Sequence, residues 1–280
     1  MLLEVKNLTK MYRNDMSLSL FRPSARREKA VDGVTFHIRK GELVGLVGES
    51  GCGKSTLSRL LVKLEPPTGG DILFEGQRIH PLRGAALKDF RKSCQLIFQD
   101  TASSLNPSLK IRTLLSEPLD NYYSLTRAEK NRKISALMDK VGLRTELLNR
   151  YPRSLSGGEK QRISICRSLL LEPKLLICDE IVSSLDVTSQ ASLLRLLKQL
   201  NRESGLALLF ISHDLEAVRK LCDRILVMDK GKIVEEVKNA EEPVYRHPCT
   251  ARLFSSLLVN HPKERMTPSP ASDIIGMEPD

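Results

Sequence analysis

The stretch that most constrains the fold of this chain is residues 48–56, which read Gly-Glu-Ser-Gly-Cys-Gly-Lys-Ser-Thr. An apolar run at 43–47 precedes it, and residues 57–64 follow with apolar side chains at helical spacing. A glycine-rich turn between a strand and a helix lets successive backbone N–H groups surround a phosphate, and the helix N-terminus adds unpaired donors. The stretch therefore predicts a phosphate-binding loop (P-loop) in an α/β fold.

Within this loop, Lys54 is expected to reach the β- and γ-phosphates of a nucleotide, and the Ser55 hydroxyl to ligate Mg²⁺. The other loop residues predicted to bind the nucleotide are Gly48, Ser50, Gly51, Gly53 and Thr56. The alternative is an ordinary glycine-rich turn with an incidental lysine. The strand and helix on its two flanks count against that alternative.

Length and composition bound the class of protein. A chain of 280 residues that is 41% hydrophobic can form one large domain or a core with an inserted subdomain. No apolar stretch approaches the roughly 18–20 residues that cross a bilayer, and the N-terminus has no signal-peptide pattern. We expect a soluble protein that stays where it is made. The six cysteines form no CxxC pair, so they are interpreted as core residues in a reducing cytosol.

The net charge of +10 is compatible with nucleic acid, an anionic membrane surface or simple solubility. Aromatic residues make up only 4% of the chain and there is no tryptophan, so little is available for stacking bases. The composition counts against a dedicated nucleic-acid binder without excluding one.

The pattern along the chain alternates strands and helices. Strands are predicted at 2–8, 34–38, 43–47, 71–74, 94–98, 175–178, 206–211 and 225–228, and helices at 83–91, 110–118, 127–141, 158–171, 187–203 and 215–221. Strand signals vanish between residues 100 and 152, which indicates a helical insert. Regular pattern fades after residue 236, and the proline-bearing residues 262–280 are expected to be disordered. Strands separated by helices imply a parallel sheet covered on both faces.

Two adjacent carboxylates, Asp179 and Glu180, end the predicted strand at 175–178. Ligands bind at the carboxyl ends of strands in such sheets, and alternation should turn the two side chains in different directions. Asp179 is expected to hold Mg²⁺, and Glu180 to position and polarise the attacking water. The alternative is a pair of solvated strand-end acids.

Three further sites carry polar groups with weaker signals. Ser156, Gly157 and Gly158 open a helix and form a second candidate anion site, although an ordinary glycine loop is favoured on these residues alone. His213 follows a strand and is placed to bond a γ-phosphate oxygen; a lone histidine is more often structural. Gln99 ends another strand, where it would bind the metal or the attacking water, or be a surface amide.

Taken together, these motifs resemble those of an ATP-binding-cassette (ABC) ATPase in order and approximate spacing over residues 2–236. The resemblance implies a P-loop NTPase (RecA-like) α/β core with an antiparallel β subdomain and an inserted helical subdomain. The implied organisation is a nucleotide-binding domain at 1–236 with the insert at about 100–157. A C-terminal extension at 237–261 and a tail at 262–280 follow it.

The resemblance also implies that two cassettes sandwich two ATP molecules head to tail. Ser156, Gly157 and Gly158 would then contact the γ-phosphate held by the partner, which reverses the interpretation from the residues alone. Residues 184–186 would cross the dimer interface, and Tyr12 would stack on adenine. The helical insert, reached through Gln99, would dock onto membrane subunits.

A narrower resemblance is to ATPases of the peptide and nickel importer group, carried by residues 22–34, 96–107 and 247–250. The chain departs from that group's pattern at Thr101, Val237 and Cys249. This resemblance implies an ATP- and Mg²⁺-dependent ATPase at the cytoplasmic face of the membrane. Its partners would be a second cassette, two transmembrane permease subunits and, indirectly, an extracytoplasmic substrate-binding protein, with no nucleic acid. The alternatives are a nucleic-acid- or ribosome-associated ABC ATPase and a non-catalytic partner cassette.

Overall fold

A computed structural model of the chain describes residues 1–13, 27–98, 104–183, 185–239 and 245–258. The strands in these ranges are β1 Leu3–Arg13, β2 Arg27–Ile38, β3 Leu43–Val47, β4 Gly69–Phe74, β5 Gln77–Arg78, β6 Cys94–Ile97, β7 Leu175–Asp179, β8 Ala207–Ile211, β9 Arg224–Asp229 and β10 Lys232–Lys238. The α-helices are α1 Lys54–Leu61, α2 Gly84–Ser93, α3 Ile111–Tyr122, α4 Arg127–Lys140, α5 Gly157–Leu169, α6 Val187–Ser204, α7 Leu215–Leu221 and α8 Pro248–Leu258.

The central sheet has six strands in the order β10-β9-β3-β8-β7-β6. All neighbouring pairs are parallel except β10, which runs antiparallel to β9 at one edge. Every residue of β3, β7 and β8 is buried, because a parallel sheet of this kind is covered on both faces. Burial on both faces of the sheet explains why these strands are continuous apolar runs in the sequence.

The two faces of the central sheet pack on different layers. Val44 and Leu46 of β3 face α1 and a second, antiparallel sheet with the order β2-β1-β4-β5. Leu43 and Val47 of the same strand face the opposite layer, which contains α3 to α7. This alternation follows from the two-residue period of side chains along a strand. The α/β core, the antiparallel sheet and the helical segment match the fold class predicted from the sequence.

The helical segment between β6 and α5 contains α3, α4 and two short 3₁₀ turns, Thr145–Asn149 and Pro152–Ser154. Thr126 caps α4: its hydroxyl accepts from the backbone N–H of Glu129, whose carboxylate accepts from the N–H of Thr126. The prediction that α3 ends at Pro118 was wrong, because the helix continues to Tyr122. Buried Leu114, Leu115 and Leu119 supply an apolar face that outweighs the hydrogen bond lost at the proline.

The C-terminal part of the described chain contains α8, where the sequence predicted fading regular structure; that prediction was wrong. Phe254 of this helix is 2% exposed and stacks on Tyr245 at 4.6 Å between ring centroids. The Glu235 carboxylate accepts from the backbone N–H groups of Arg246 and His247 just before the helix. The tail at 262–280 lies outside the described residues, and the domain boundary at 236 stays a prediction.

Two further sequence expectations concern membranes and cysteines. In the described ranges, no helix combines the length and the apolar character that a bilayer crossing requires. All six cysteines lie in these ranges, and each is buried with a free thiol. Burial raises the pKa of the Cys94 and Cys166 thiols to about 12, so these two behave as apolar core residues.

Candidate functional site

The predicted site residues of the P-loop, the two carboxylates and His213 meet at the carboxyl ends of three adjacent strands, β3, β8 and β7. Beyond the strands, the backbone N–H of Glu180 donates to the Ile211 carbonyl at 2.9 Å, and that of Ser212 donates to the Leu46 carbonyl at 3.2 Å. These bonds continue the parallel ladder past the strand ends. They bring the P-loop after β3, the carboxylates after β7 and His213 after β8 to one edge of the sheet.

The P-loop is a tight turn that only glycine can form at two positions. A Cβ at Gly48 would lie 2.2 Å from the Met228 carbonyl oxygen, and one at Gly53 would lie 2.1 Å from the Ala30 carbonyl oxygen. The Cys52 carbonyl also accepts from the backbone N–H of Gly231 at 2.9 Å. The loop is therefore packed against β2 and the β9–β10 turn, so its backbone conformation is fixed by the surrounding fold.

Lys54 begins α1 and is only 5% exposed. Its ammonium donates to the carbonyls of Gly48 at 2.8 Å and Glu49 at 2.9 Å. These bonds curl the side chain back over its own loop, which places the charge at the centre of the loop rather than in solvent. A buried ammonium inside a ring of backbone groups is suited to bind an anion such as a phosphate.

A cavity of about 520 Å³ opens over the loop. Seven predicted residues line it: the loop residues Ser50, Gly51, Gly53, Lys54, Ser55 and Thr56, and the carboxylate residue Glu180. Sequence reasoning missed five other lining residues: Lys29, Ala30, Cys52, Lys230 and Gly231. Two of these are lysines, which add positive charge at the rim. Cys52 lies inside the motif itself, but the other four come from β2 and the β9–β10 turn, which no local motif connects to the loop.

Asp179 lies beside α1 and is 5% exposed. Its carboxylate accepts from the Ser58 hydroxyl at 2.9 Å and lies 3.5 Å from the Ser55 hydroxyl oxygen. Burial raises the pKa of the Asp179 carboxyl above its ordinary value, and the two serine hydroxyls oppose that rise. Sequence reasoning missed Ser58, although its spacing of three residues from Ser55 puts both on one face of α1.

Glu180 and His213 face each other across the strand ends. The Glu180 carboxylate oxygen lies 3.6 Å from His213 Nδ1, and their side chains are 15% and 56% exposed, respectively. β7 ends at Asp179, and Glu180 adopts a left-handed backbone with φ of 51°. The two acids do face different surroundings, as predicted, but the cause is this turn and not strand alternation. A non-glycine residue in that region is strained by about 1–3 kcal/mol.

Tyr12 lies near the end of β1 and is 37% exposed. Its hydroxyl donates to Glu65 at 2.5 Å. Burial and Glu65 raise the Tyr12 pKa, while a hydrogen bond with Thr56 opposes the rise, so the phenol sits beside the last residue of the P-loop. An exposed ring at this position offers a stacking surface next to the cavity.

The second candidate anion site, residues 156–158, is less enclosed than the P-loop. Ser156 caps α5: its hydroxyl accepts from the backbone N–H of Glu159 at 3.2 Å, and the Glu159 carboxylate accepts from the Ser156 N–H at 2.9 Å. Ser156 and Gly157 are exposed. We call residues 156–158 the signature half, and residues 48–56 with Asp179, Glu180 and His213 the P-loop half. Among the described residues that line the P-loop cavity, none belongs to the signature half.

A second concave surface, a groove of about 700 Å³, runs from Ser55 and Asp179 to the helical segment. Its walls are the end of β6 and parts of α3 and α5, including Phe98, Tyr122 and Ser164. Gln99, predicted to act as a catalytic residue and metal ligand, follows Phe98 directly but lies outside the described residues, as does Ser184. The groove nevertheless connects the metal-ligand candidates with the predicted membrane-docking segment.

Comparison with known proteins decides the family. The family model described as ABC transporter matches residues 31–183. The chain belongs to the ABC transporter family. Membership makes it an ATP-binding ATPase cassette, and it confirms the fold, the family resemblance and the enzyme class predicted from the sequence.

Relatives and solved structures agree with this assignment. The cassette is 45% identical over 267 residues to the oligopeptide transport ATP-binding protein OppF of Haemophilus influenzae, covering 94% of this chain and 80% of that one. It is 44% identical over 257 residues to the nickel import ATP-binding protein NikE of Brucella abortus, covering 92% and 95%. The dimeric bacterial ABC transporter cassette MJ0796 superimposes with a TM-score of 0.75 at 26% identity, covering 86% of this chain and 100% of that one.

Proposed function

We propose that this cassette is the ATP-hydrolysing subunit of a binding-protein-dependent importer for peptides, nickel or metal chelates. The observation that carries the proposal is the similarity over most of the chain to both OppF and NikE. Shared motifs alone indicate only the family, whereas identity near 45% extending into residues beyond 236 supports the narrower group. The choice between the two cargo classes rests with other subunits.

The P-loop half binds the triphosphate. Lys54 and the N-terminus of α1 supply positive charge for the β- and γ-phosphates, and Tyr12 stacks on the adenine. The buried Asp179 carboxylate and the Ser55 hydroxyl, 3.5 Å apart, are oxygen donors of the kind that Mg²⁺ prefers, so these two residues fit the ion. When bound, Mg²⁺ neutralises charge that develops on the phosphates.

Hydrolysis uses Glu180, His213 and Gln99. Glu180 lines the cavity beside the loop and orients the attacking water, accepting its proton as the bond to phosphorus forms. His213, 3.6 Å away, donates a hydrogen bond to a γ-phosphate oxygen. Gln99, which follows β6 in the sequence and lies outside the described residues, would contact the metal or the attacking water.

The signature half completes the site of a partner cassette. Ser156 and the backbone N–H groups of Gly157 and Gly158 contact the γ-phosphate held by the partner's P-loop, and residues 184–186 cross the interface. Shifting the ratio of closed to open cassette dimers from 1:99 to 99:1 requires that ATP bind the closed dimer more favourably by about 5.5 kcal/mol. Several charge-assisted hydrogen bonds to each of the two nucleotides, at about 1.5–3 kcal/mol each, supply this free energy. Hydrolysis removes these bonds.

The closing motion reaches two transmembrane permease subunits through the groove and the helical segment. The groove begins at Ser55 and Asp179 and ends on α3, so a segment seated in it contacts both the ATP site and the helical layer. The cassette is accordingly a peripheral protein at the cytoplasmic face of the membrane. A substrate-binding protein on the other side acts on it indirectly.

The test is the Glu180→Gln variant in the purified complex. We expect ATP binding to persist, hydrolysis to fall by about 10²–10⁴-fold because the general base is lost, and an ATP-dependent cassette dimer to accumulate. Chromatography with radiolabelled ATP measures the dimer, and mass spectrometry of copurifying subunits identifies the permeases. Wild-type turnover in this variant would remove Glu180 from its role. Salt-sensitive binding to DNA or RNA without membrane partners would contradict the proposal.

A further inference from the structure

The segment around His213 is anchored on both sides by hydrogen bonds. Before it, Ser212 is attached to the end of β3. After it, the backbone N–H of Asp214 donates to the Ser212 hydroxyl at 3.0 Å, and the Asp214 carboxylate caps α7 by accepting from the N–H of Ala217 at 3.0 Å. The position of the His213 imidazole therefore depends on how the Asp214 carboxylate is held.

The same carboxylate has a second partner on another helix. Gln190, in the first turn of α6, donates through Nε2 to Asp214 Oδ2 at 2.5 Å. Both side chains are half-buried. A hydrogen bond to a carboxylate that is partly removed from water belongs to the stronger class of such bonds. Asp214 thus joins the start of α6 to the start of α7.

The neighbouring face of α6 contacts α5, the helix whose N-terminus carries the signature half. Ser192 accepts a hydrogen bond from the Arg162 guanidinium of α5 at 2.8 Å. A Cβ at Gly158 would lie 3.7 Å from the Ser189 hydroxyl oxygen. Ser189 and Ser192 are three residues apart and share one face of α6, whereas Gln190 is rotated by about 100° towards α7. The first two turns of α6 consequently touch α5 on one side and Asp214 on the other.

We propose that Gln190 is a positioning residue for His213, and that it links His213 mechanically to the signature half. This inference rests on the proposed function, in which His213 and residues 156–158 serve different ATP molecules of the dimer. A shift of the α5 N-terminus on closing is transmitted to α6 through the hydrogen bond between Arg162 and Ser192. Gln190 then passes it to Asp214, so His213 is aligned when the signature half is engaged.

The first measurement compares Gln190→Ala with wild type in steady-state ATP hydrolysis by the purified full-length chain. We expect kcat to fall about tenfold, the lower end for losing a hydrogen bond to a carboxylate, with the KM for ATP changed less than about twofold. Gln199→Ala is the matched control. Gln199 lies on the same helix, is exposed and bonds only Glu203 among the described contacts, so its loss leaves kcat unchanged.

Exchanging the hydrogen-bond donor and acceptor between positions 190 and 214 tells a positioning role of Gln190 apart from a general effect on folding. Gln190→Glu sets two carboxylates against each other and should lower kcat at least as much as alanine. Asp214→Asn keeps a good helix cap and can still bond Gln190, so it should be mild. The double variant Gln190→Glu with Asp214→Asn restores an amide-to-carboxylate bond, and kcat should return to within about threefold of wild type.

A further variant tests whether Gln190 acts in positioning His213 or in closing the dimer. In the Glu180→Gln background, Gln190→Ala should still form the ATP-dependent dimer, because the contact lies behind the interface. Unchanged kcat in Gln190→Ala, or no rescue in the double variant, overturns the positioning role while the proposed function stands. A wild-type chain that fails to hydrolyse ATP overturns the proposed function instead. A stably folded Gln190→Ala that cannot dimerise also overturns the inference.

Discussion

The P-loop half and the signature half are built in different ways. Lys54 and Asp179 in the P-loop half are each 5% exposed, and side-chain hydrogen bonds join its strands to α1. In the signature half, Ser156 and Gly157 are exposed, and a helix cap is the principal bond that the structure describes there. One half is enclosed by its own fold, and the other presents its donors outward.

This difference indicates which half determines the affinity for ATP and which half makes hydrolysis depend on a partner cassette. A buried ammonium and a buried carboxylate are costly unless neighbouring groups compensate them, so the P-loop half must be organised by the fold before nucleotide arrives. Exposed backbone donors at a helix N-terminus need no such compensation and are free to meet a ligand held elsewhere. We therefore expect affinity for ATP to depend on the first half and hydrolysis to depend on both.

The largest expected effects come from disabling each half separately. Lys54→Ala should abolish tight ATP binding by the single chain. Gly157→Asp should leave that affinity within about twofold yet reduce hydrolysis by about 10²–10³-fold, because in the proposed dimer a carboxylate would then face the partner's γ-phosphate. Nothing lies within 4 Å of a Cβ at Gly157, so the substitution is compatible with the fold. Equilibrium titration with a fluorescent ATP analogue and a phosphate-release assay measure the two quantities.

Gly157→Ala is the matched control for the charge. It adds a methyl group in the same open space without a carboxylate, and most of the hydrolysis should remain. The comparison between halves fails if Gly157→Asp weakens ATP binding by the single chain as strongly as Lys54→Ala does. It also fails if Gly157→Asp hydrolyses ATP at the wild-type rate.

A smaller effect is expected from Ser58→Ala, which removes the hydroxyl that bonds the buried Asp179 carboxylate. We expect the free energy of unfolding at pH 7 to fall by about 1–3 kcal/mol, the cost of leaving a buried acceptor unsatisfied. Urea denaturation monitored by circular dichroism measures the change. Ser204→Ala serves as a control, because its hydroxyl bonds a helix carbonyl far from the site.

The stability lost in Ser58→Ala should depend on pH in a definite direction. Burial raises the pKa of Asp179, so the folded state binds this proton more tightly than the unfolded state. Stability from this group is complete below the ordinary value of 3.8 and falls as pH rises through the folded pKa. Without the Ser58 hydroxyl that pKa rises further. The difference between Ser58→Ala and wild type should therefore be small at low pH and full at neutral pH.

Local sequence identified residues that the structure brings together in the P-loop half, but it missed the residues around them. The glycines at 48, 51 and 53 and the acids at 179 and 180 stand in short motifs whose chemistry is fixed by spacing. Lys230 and Gly231 reach the cavity only because β9 pairs with β3, which no local pattern encodes. Ser58 had a local signal, its spacing from Ser55, but its partner Asp179 is 121 residues away.

Two secondary-structure errors have the same origin in tertiary packing. Helix α3 passes through Pro118 because its apolar face is buried against the core, and a propensity rule applied to one residue does not weigh that burial. Helix α8 forms where the sequence pattern fades, since Phe254 is enclosed and stacked on Tyr245. Glu180 shows the same limit of sequence-based prediction at a single residue. Its side-chain direction follows a left-handed backbone turn after β7 and not the alternation of side chains along a strand.

The smallest expected change in stability tests how lightly the signature half is held. Ser156→Ala removes the hydroxyl cap of α5 and should lower the free energy of unfolding by about 1 kcal/mol, below the loss in Ser58→Ala. Because the same hydroxyl is proposed to contact the partner's γ-phosphate, hydrolysis should fall by about tenfold while ATP binding by the single chain is unchanged. Thr126→Ala, which removes the equivalent cap from α4, should match the stability loss and leave hydrolysis intact. Equal hydrolysis in the two cap variants would mean that Ser156 serves only its own helix, and the trans contact would then rest on the glycine backbone alone.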